Sequence, residues 1–231
     1  MSGRGGLAAC VLALFAPGAA LAQCVTVAPD ICVSERKYNA PVNEQPFFGF
    51  AQKTPAMVDA DQKFLAEVLP PGADKDRVVQ RALTQGWNAF GNGDYVTAGR
   101  RFNQVFLIDP RHAGVYHSFA ALAQERFNDA AYAEELFRVA KKLPNPIRTL
   151  NGDYGRLLMI MHRPADALPL LEQGAKDAPD SADGWANLGA ARLLTGDRAG
   201  ACQAIAEATK RKPDEKLRGQ LPELRQRAGC K

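Results

Sequence analysis

The strongest constraint on the fold of this 231-residue chain is a repeat with a period of about 34 residues. Each repeat contains an alanine that is followed, four residues later, by a large apolar side chain. The four alanines lie 35, 34 and 34 residues apart, at Ala98, Ala133, Ala167 and Ala201. Apolar residues at i, i+4 and i+7 mark one face of a helix. A single helix pair cannot bury such a face alone, so neighbouring repeats are expected to stack.

Glycine and proline mark where the helices of each repeat meet and end. In three repeats a glycine lies twelve residues before the alanine, at Gly86, Gly155 and Gly189. A residue without a side chain lets two antiparallel helices approach closely. The Gly-Asp pairs at 93–94 and 196–197 are expected to stop the first helix and cap the second. A proline twelve residues after the alanine then ends the second helix in three repeats. Each repeat is therefore predicted to be a helix–turn–helix hairpin.

These repeats resemble the tetratricopeptide repeat (TPR) family over residues 79–215. The fourth repeat is the most similar, at Trp185, Leu188, Gly189, Gly196, Asp197, Ala201, Ala208 and Pro213. The second repeat departs from the pattern, because Pro144 comes one residue early and the first helix can be registered on either Ala120 or Ala121. The resemblance implies an all-α fold, a right-handed superhelical solenoid of about four hairpins.

The segments outside the repeats are predicted to have separate roles. Residues 1–22 carry one positive charge, ten apolar residues and a small-residue cleavage site, which is typical of a cleaved signal peptide. Residues 23–56 are expected to form an extended arm, and residues 57–78 an N-terminal helical extension. Residues 216–231 are predicted to form a capping helix that Pro222 kinks or splits. Phe47, Phe48 and Phe50 of the arm are expected to dock on the repeats, either in the groove beside Trp87 or beside the first helix.

The residues around the cleavage site also allow a second interpretation. The sequence from Leu21 to Cys24 resembles a bacterial lipobox, in which Cys24 would be lipidated and become the N-terminus. Gln23 departs from that pattern, which has a small residue before the cysteine. Export therefore predicts a periplasmic protein, with an outer-membrane lipoprotein as the alternative. Membrane attachment is expected only if Cys24 is lipidated.

Four cysteines remain after removal of the signal peptide, at Cys24, Cys32, Cys202 and Cys230. An even number in an oxidising compartment favours two disulfides, although buried free thiols remain an alternative. Four cysteines allow three connectivities, of which nearest-neighbour pairing is the simplest. If the capping helix returns antiparallel to the last repeat, Cys230 comes close to Cys202. The spacing of the first two cysteines, with no histidine nearby, is a poor zinc signature.

Composition and motifs argue against several classes of function. A net charge of +4 is too small to mark a nucleic-acid binder. The sequence has no glycine-rich phosphate loop, nucleophile elbow or zinc-protease motif. We therefore predict no catalytic residues, no metal and no cofactor, with an envelope enzyme lacking a recognisable motif as the alternative from another class. The stretch from residue 210 to 231 has eight basic and three acidic residues, which indicates a solvated helix or a surface for anionic lipid.

The resemblance also implies where a partner binds. In the family, the first helices of successive repeats line a concave groove that holds a protein or peptide. The corresponding positions here are Leu83, Trp87, Phe90, Arg156, Met159, Asp183 and Leu193. The lysine and asparagine with which some members clamp acidic tails are absent, and the groove is predicted to be apolar with one cation. The alternative is that its large apolar residues are core between repeats. The sequence thus predicts a non-enzymatic scaffold or adaptor in the bacterial envelope, or an outer-membrane lipoprotein assembly factor.

Overall fold

A computed structural model describes residues 24–231 of the protein; the signal peptide prediction for residues 1–22 lies outside this range. The described part contains ten α-helices. They are α1 (Pro55–Val68), α2 (Lys75–Gly91), α3 (Tyr95–Ile108), α4 (Ala113–Phe127), α5 (Ala130–Lys142), α6 (Leu150–Ile160), α7 (Pro164–Asp177), α8 (Ala182–Leu194), α9 (Arg198–Lys210) and α10 (Glu215–Ala228). None of the helices within residues 24–231 is both long and apolar enough to cross a membrane.

Helices α2 to α9 form four hairpins, as the repeat pattern predicts. The glycines of the first helices lie where each pair touches. A β-carbon at Gly155 would lie 2.6 Å from the side chain of Leu171, and one at Gly189 would lie 2.8 Å from Ile205. The second helices α3 and α9 begin at side-chain caps, where Asp94 and Asp197 each accept a hydrogen bond from a main-chain N–H three residues on. The fold is therefore an all-α solenoid, and its helix ends follow the glycine and aspartate signals.

The turn between α4 and α5 settles the register of the second repeat. In the first repeat, the N–H of Asp94 donates to the carbonyl of Ala89, three residues after Gly86. In the second repeat the equivalent bond runs from Asp129 to Ala123 and spans one residue more. In the first repeat the glycine lies three residues before the acceptor carbonyl. The residue three positions before Ala123 is Ala120, so Ala120 occupies the glycine position of the second repeat. The extra residue thus lies near the C-terminus of α4, and its turn passes through a left-handed residue at position 128.

The C-terminal helix and both disulfides follow the predicted arrangement with one exception. α10 packs on α9 and α8, and it is continuous through Pro222, so the predicted split is not found. Burial of Leu217 and Leu221 against the fourth repeat offsets the hydrogen bond that the proline cannot make. Cys202 is bonded to Cys230, with α-carbons 5.4 Å apart, and the other pair also forms between nearest neighbours, with α-carbons 5.6 Å apart.

The N-terminal arm is more structured than the expected extended segment. It begins with a two-stranded antiparallel hairpin, β1 (Cys24–Ala28) and β2 (Ile31–Ser34), whose turn contains a left-handed Asp30. Two short 3-10 helices follow, Val42–Glu44 and Pro46–Phe50. Ala28, Ile31 and Val33 of the hairpin are buried, which explains why this stretch folds against the body.

The arm docks mainly on the second helices α3 and α5, and its 3-10 segment also contacts α4. Phe47 is 5% exposed, and its ring lies 4.7 Å from that of Phe119 and 5.2 Å from that of Phe106. The phenylalanine segment therefore docks on the repeats as predicted, but it does not dock in the groove beside Trp87. Polar anchors on α3 help to fix this docking site. Buried Asn103 on α3 donates to the carbonyl of residue 45 at 2.7 Å and accepts from the N–H of residue 48 at 3.1 Å.

A buried carboxylate also fastens the arm to the body. The side chain of Glu44 is 5% exposed and contacts Arg126 at 2.5 Å and Arg100 at 2.7 Å. The hydrogen bond from Arg126 lowers the pKa of Glu44 below its ordinary value, with further help from Arg100. The carboxylate therefore stays ionised and bridges two helices that belong to different repeats.

Replacing Phe47 by alanine is expected to release the arm. The change removes a buried ring from an aromatic cluster, whereas Phe48→Ala removes a half-buried ring that lies 4.2 Å from the Lys53 ammonium group. Limited proteolysis followed by mass spectrometry measures the result. We expect cleavage between residues 35 and 54 to accelerate at least tenfold in Phe47→Ala and much less in Phe48→Ala. Equal rates in the two variants would contradict the assigned anchor.

Candidate functional site

The first helices of the four repeats are α2, α4, α6 and α8, and of these α4 contacts the 3-10 segment of the arm. α6 contacts both α4 and α8, so these helices make one continuous surface. All seven predicted groove residues lie on this set of helices, at Leu83, Trp87, Phe90, Arg156, Met159, Asp183 and Leu193. The structure therefore brings them onto one side of the solenoid but distributes them over three helices.

The N-terminal end of this surface is aromatic. Trp87 is half-buried and meets Phe90 edge-to-face at 5.3 Å between ring centroids. Its ring also lies 5.1 Å from that of His117 on α4. Leu83, in contrast, is only 3% exposed and belongs to the core, so it supports the groove wall and offers no contact surface. The large side chains Trp87, Phe90 and Met159 pack partly on the core and partly face solvent, which combines the two alternatives that the sequence left open.

The third and fourth repeats enclose a polar pocket of about 270 Å³ between α6 and α8. Two predicted groove residues, Arg156 and Asp183, line it. The other polar side chains that line it are Thr149, Asp153, Ser181 and Asn187. An apolar groove with one cation stays a prediction for the groove as a whole, but at this point polar residues next to the predicted positions line the surface as well.

Carboxylates outnumber cations in and around the polar pocket. The guanidinium group of Arg156 lies 2.9 Å from the carboxylate of Glu125 on α4, which neutralises the one cation that lines the pocket. Burial raises the pKa of Asp183, and the negative charge of Asp214 raises it further. The pocket therefore presents negative potential, which favours a partial or full positive charge on a bound group.

A buried histidine supports the wall of this pocket from α4. The side chain of His117 is 1% exposed, and its Nε2 lies 2.9 Å from Oδ2 of Asp153. Burial raises the pKa of Asp153, but the hydrogen bond with His117 and the charge of Arg156 outweigh it and hold the pKa below its ordinary value. The sequence did not reveal this pair because the register of α4 was ambiguous. With Ala120 at the glycine position, His117 occupies the place that Leu83 has in the first repeat.

Asp153→Asn is expected to lower the free energy of unfolding by about 1–2 kcal/mol at neutral pH, because it weakens a hydrogen bond to a buried histidine. A carboxylate whose pKa is lowered by folding contributes stability above its unfolded pKa and loses it as the pH falls through the folded value. The difference between the two proteins should therefore be full at pH 7 and shrink on acidification. Urea denaturation at several pH values measures it. A difference that grows towards low pH would contradict this role of the carboxylate.

An apolar rim flanks the polar pocket at the C-terminal ends of the first helices. Ile160 on α6 is 42% exposed and Leu194 on α8 is 57% exposed. Each lies five residues after the glycine of its repeat, so the two occupy equivalent positions. The neighbouring Met159 and Leu193 are half-buried and continue the rim inward. The sequence indicated Met159 and Leu193 but not the more exposed pair, because exposed aliphatic residues at a helix end have no distinctive spacing.

Comparisons with known proteins agree with the repeat architecture. No protein-family model matches the chain. No curated protein sequence matches it either. A Pseudomonas aeruginosa structure from a functional characterisation of pilF is similar with a TM-score of 0.55 and 19% identity, over 66% of this chain and 69% of that chain. PilW, described as a widely conserved type IV pilus biogenesis factor, has a TM-score of 0.53 and 15% identity, over 75% and 78% of the two chains. A thermophilic TPR protein from Thermus thermophilus has a TM-score of 0.50 and 15% identity, over 73% and 94%. The chain therefore has the tetratricopeptide repeat fold.

Proposed function

We propose that this protein is a non-enzymatic scaffold or adaptor that binds a segment of a partner protein in its concave groove. The observation that carries the proposal is the polar pocket at residues 149–187 with an apolar rim beside it, on the face that the arm leaves free. A short segment with apolar side chains on the rim and a polar or cationic group in the pocket matches this surface. Rim and pocket together supply both affinity and orientation.

We place this activity in the bacterial envelope. The signal-peptide pattern of residues 1–22 and the two disulfides support an oxidising compartment. PilW is described as a pilus biogenesis factor, which makes an assembly role in the envelope a reasonable form of the proposal. The bond between Cys24 and Cys32 favours a periplasmic protein over the lipoprotein alternative, because the sulfur of Cys24 is then not free to carry a lipid. Intact-mass analysis of the mature protein tests this, since lipidation adds acyl chains.

Asp183→Lys tests the proposed groove. The change places a cation in the polar pocket, where the negative potential favours a polar or cationic group of the partner. Asp180→Lys is the matched control, because Asp180 is also an exposed aspartate near the start of α8 and it does not line the pocket. Exposed ion pairs contribute about 0–1 kcal/mol, so both variants are expected to remain folded.

The readout is copurification of tagged protein from its own host with quantitative mass spectrometry. We expect proteins enriched by the wild type to be retained by Asp180→Lys and depleted at least tenfold with Asp183→Lys. Retention of all of them by Asp183→Lys would contradict binding at the pocket. Substrate turnover by the purified protein, abolished by changes in the same pocket, would instead favour the envelope-enzyme alternative.

A further inference from the structure

The cations near the C-terminus differ from most others in the chain because they have no acidic partners. In the body, ion pairs such as Arg126 with Glu44 and Arg163 with Glu134 are common. Within the described stretch from residue 212 to 231, six cations pair with no aspartate or glutamate side chain within 4.0 Å. They are Lys212, Lys216, Arg218, Arg225, Arg227 and Lys231. Like charges that are held together without counter-charges repel each other, so an anion that binds among them is stabilised.

Three of these cations line one concavity of about 620 Å³ between the end of α9 and one face of α10. We call it the basic pocket, and it is formed by Lys210, Lys212, Arg218 and Arg225 around Leu221 and Pro222. The residues of α10 follow the i, i+3, i+4, i+7 spacing, which places them on a single helical face. No acidic side chain lines the basic pocket. Its walls are positive and its floor is apolar.

The backbone at Lys212 is left-handed. Its φ is 52°, in the region that glycine adopts more readily. At other turns between helices the left-handed residues are Gly93, Gly196, Asn128 and His162. A glycine at position 212 would relax the backbone and remove the charge. Lys212→Gly is therefore expected to remove the positive charge without destabilising the fold.

The disulfide fixes the geometry of the two walls. Cys202 lies in α9 and Cys230 follows the left-handed end of α10, so the bond ties the far end of α10 to α9. Leu217 and Leu221 pack α10 on the fourth repeat at the other end. The four cations are therefore carried by elements whose separation is set before any ligand binds, which lowers the entropic cost of binding.

We propose that the basic pocket binds the phosphate-bearing headgroup of an anionic lipid at a membrane surface. Three cations without an acidic partner, together with Lys210, which pairs with Glu207 outside the pocket lining, suit a phosphate group. The apolar floor at Leu221 and Pro222 suits the less polar part of an amphiphile, which a free inorganic anion does not have. The site lies at the C-terminal end of the solenoid, so it is separate from the concave groove, and lipid binding here does not depend on the function proposed for that groove.

The test compares two triple variants that remove equal charge. The first is Lys212→Gly, Arg218→Gln and Arg225→Gln, which empties the basic pocket of three cations. The second is Lys216→Gln, Arg227→Gln and Lys231→Gln, which removes three cations of the same region that do not line it. Sedimentation with phosphatidylcholine vesicles, with and without phosphatidylglycerol, measures binding. Circular dichroism melts of both variants show that the fold is intact.

We expect the wild-type protein to bind only the vesicles that contain phosphatidylglycerol. Each cation at an anionic surface contributes a factor of about five, so the pocket variant should bind about 100-fold more weakly and the control variant at least tenfold better than it. Equal losses in the two variants would show that only delocalised charge matters and would overturn the proposal. An absence of vesicle binding by the wild type would overturn it as well. Full displacement from vesicles by inorganic phosphate at constant ionic strength would indicate a free-anion site instead of a lipid site.

Discussion

Gly189→Leu is expected to unfold the fourth repeat at a temperature well below the wild-type melting point. A β-carbon at Gly189 would lie 2.8 Å from the side chain of Ile205 and 3.4 Å from the carbonyl oxygen of Ala201. Both neighbours are fully buried in α9, so they cannot move aside without opening the hairpin. We expect a loss of about 1–3 kcal/mol or more, which corresponds to roughly 2–4 °C per kcal/mol for a chain of this length.

The region of the protein that loses stability distinguishes overpacking at Gly189 from a general effect of adding a leucine side chain. The fourth repeat and α10 share a core of their own, although Leu188, Ala191 and Ala204 of α8 and α9 belong to the larger core of the other repeats. Hydrogen exchange should therefore accelerate first in α8, α9 and α10. Gly219→Leu is the matched control, because a β-carbon there has no neighbour within 4 Å. Equal melting temperatures for Gly189→Leu and the wild type would mean that the helices do not meet at this glycine.

Removal of the Cys202–Cys230 disulfide is expected to have the largest effect on stability. The bond joins residues that are 28 positions apart. For a loop of about 29 residues, the chain-entropy account attributes roughly 3–4 kcal/mol to such a cross-link. We therefore expect the Cys202→Ser, Cys230→Ser variant to melt about 6–16 °C lower, at 2–4 °C per kcal/mol. Calorimetry under non-reducing conditions measures this shift.

The matched control replaces the other disulfide, Cys24→Ser with Cys32→Ser. That bond closes the N-terminal hairpin, which packs on α5 at a distance from α10. Limited proteolysis should cut the first variant within residues 211–231 and the control within the hairpin. Peptide mapping that finds Cys230 as a free thiol, or bonded to Cys24, would contradict the arrangement of α10 on α9.

The regular part of this fold could be predicted from sequence because its signals are local. Glycine at the helix contact, aspartate at the cap and an apolar face at i, i+4 and i+7 each act within one hairpin, and the structure has four such hairpins. Both disulfide pairings followed in the same way from neighbouring positions and an antiparallel α10. The register of α4 in the second repeat could be assigned only from the structure, because the choice between Ala120 and Ala121 depends on a turn with one extra residue.

The arm and the polar pocket could not be predicted because they depend on contacts distant in the chain. The side on which the arm docks is decided by Asn103 and by Glu44, which meets arginines 56 and 82 residues away. The contact between His117 and Asp153 joins two repeats, and it could not be predicted while the register of α4 was ambiguous. The left-handed backbone at Phe47 and Phe48 could not be predicted either, because bulky residues rarely adopt this conformation.

Site-specific photo-crosslinking in the host tests the central claim, that a partner binds in the concave groove. The photoreactive residue replaces Asn187, which lines the polar pocket on α8, or Gln173, an exposed residue of α7 that does not line it. The two positions lie in adjacent helices, and the exposed Gln173 is the more accessible of the two, so a partner captured only at position 187 reflects binding in the pocket. We predict a discrete crosslinked partner at position 187 that is lost with Asp183→Lys, and none at position 173. A partner captured at position 173 but not at 187, or equally at both, would contradict binding in the groove.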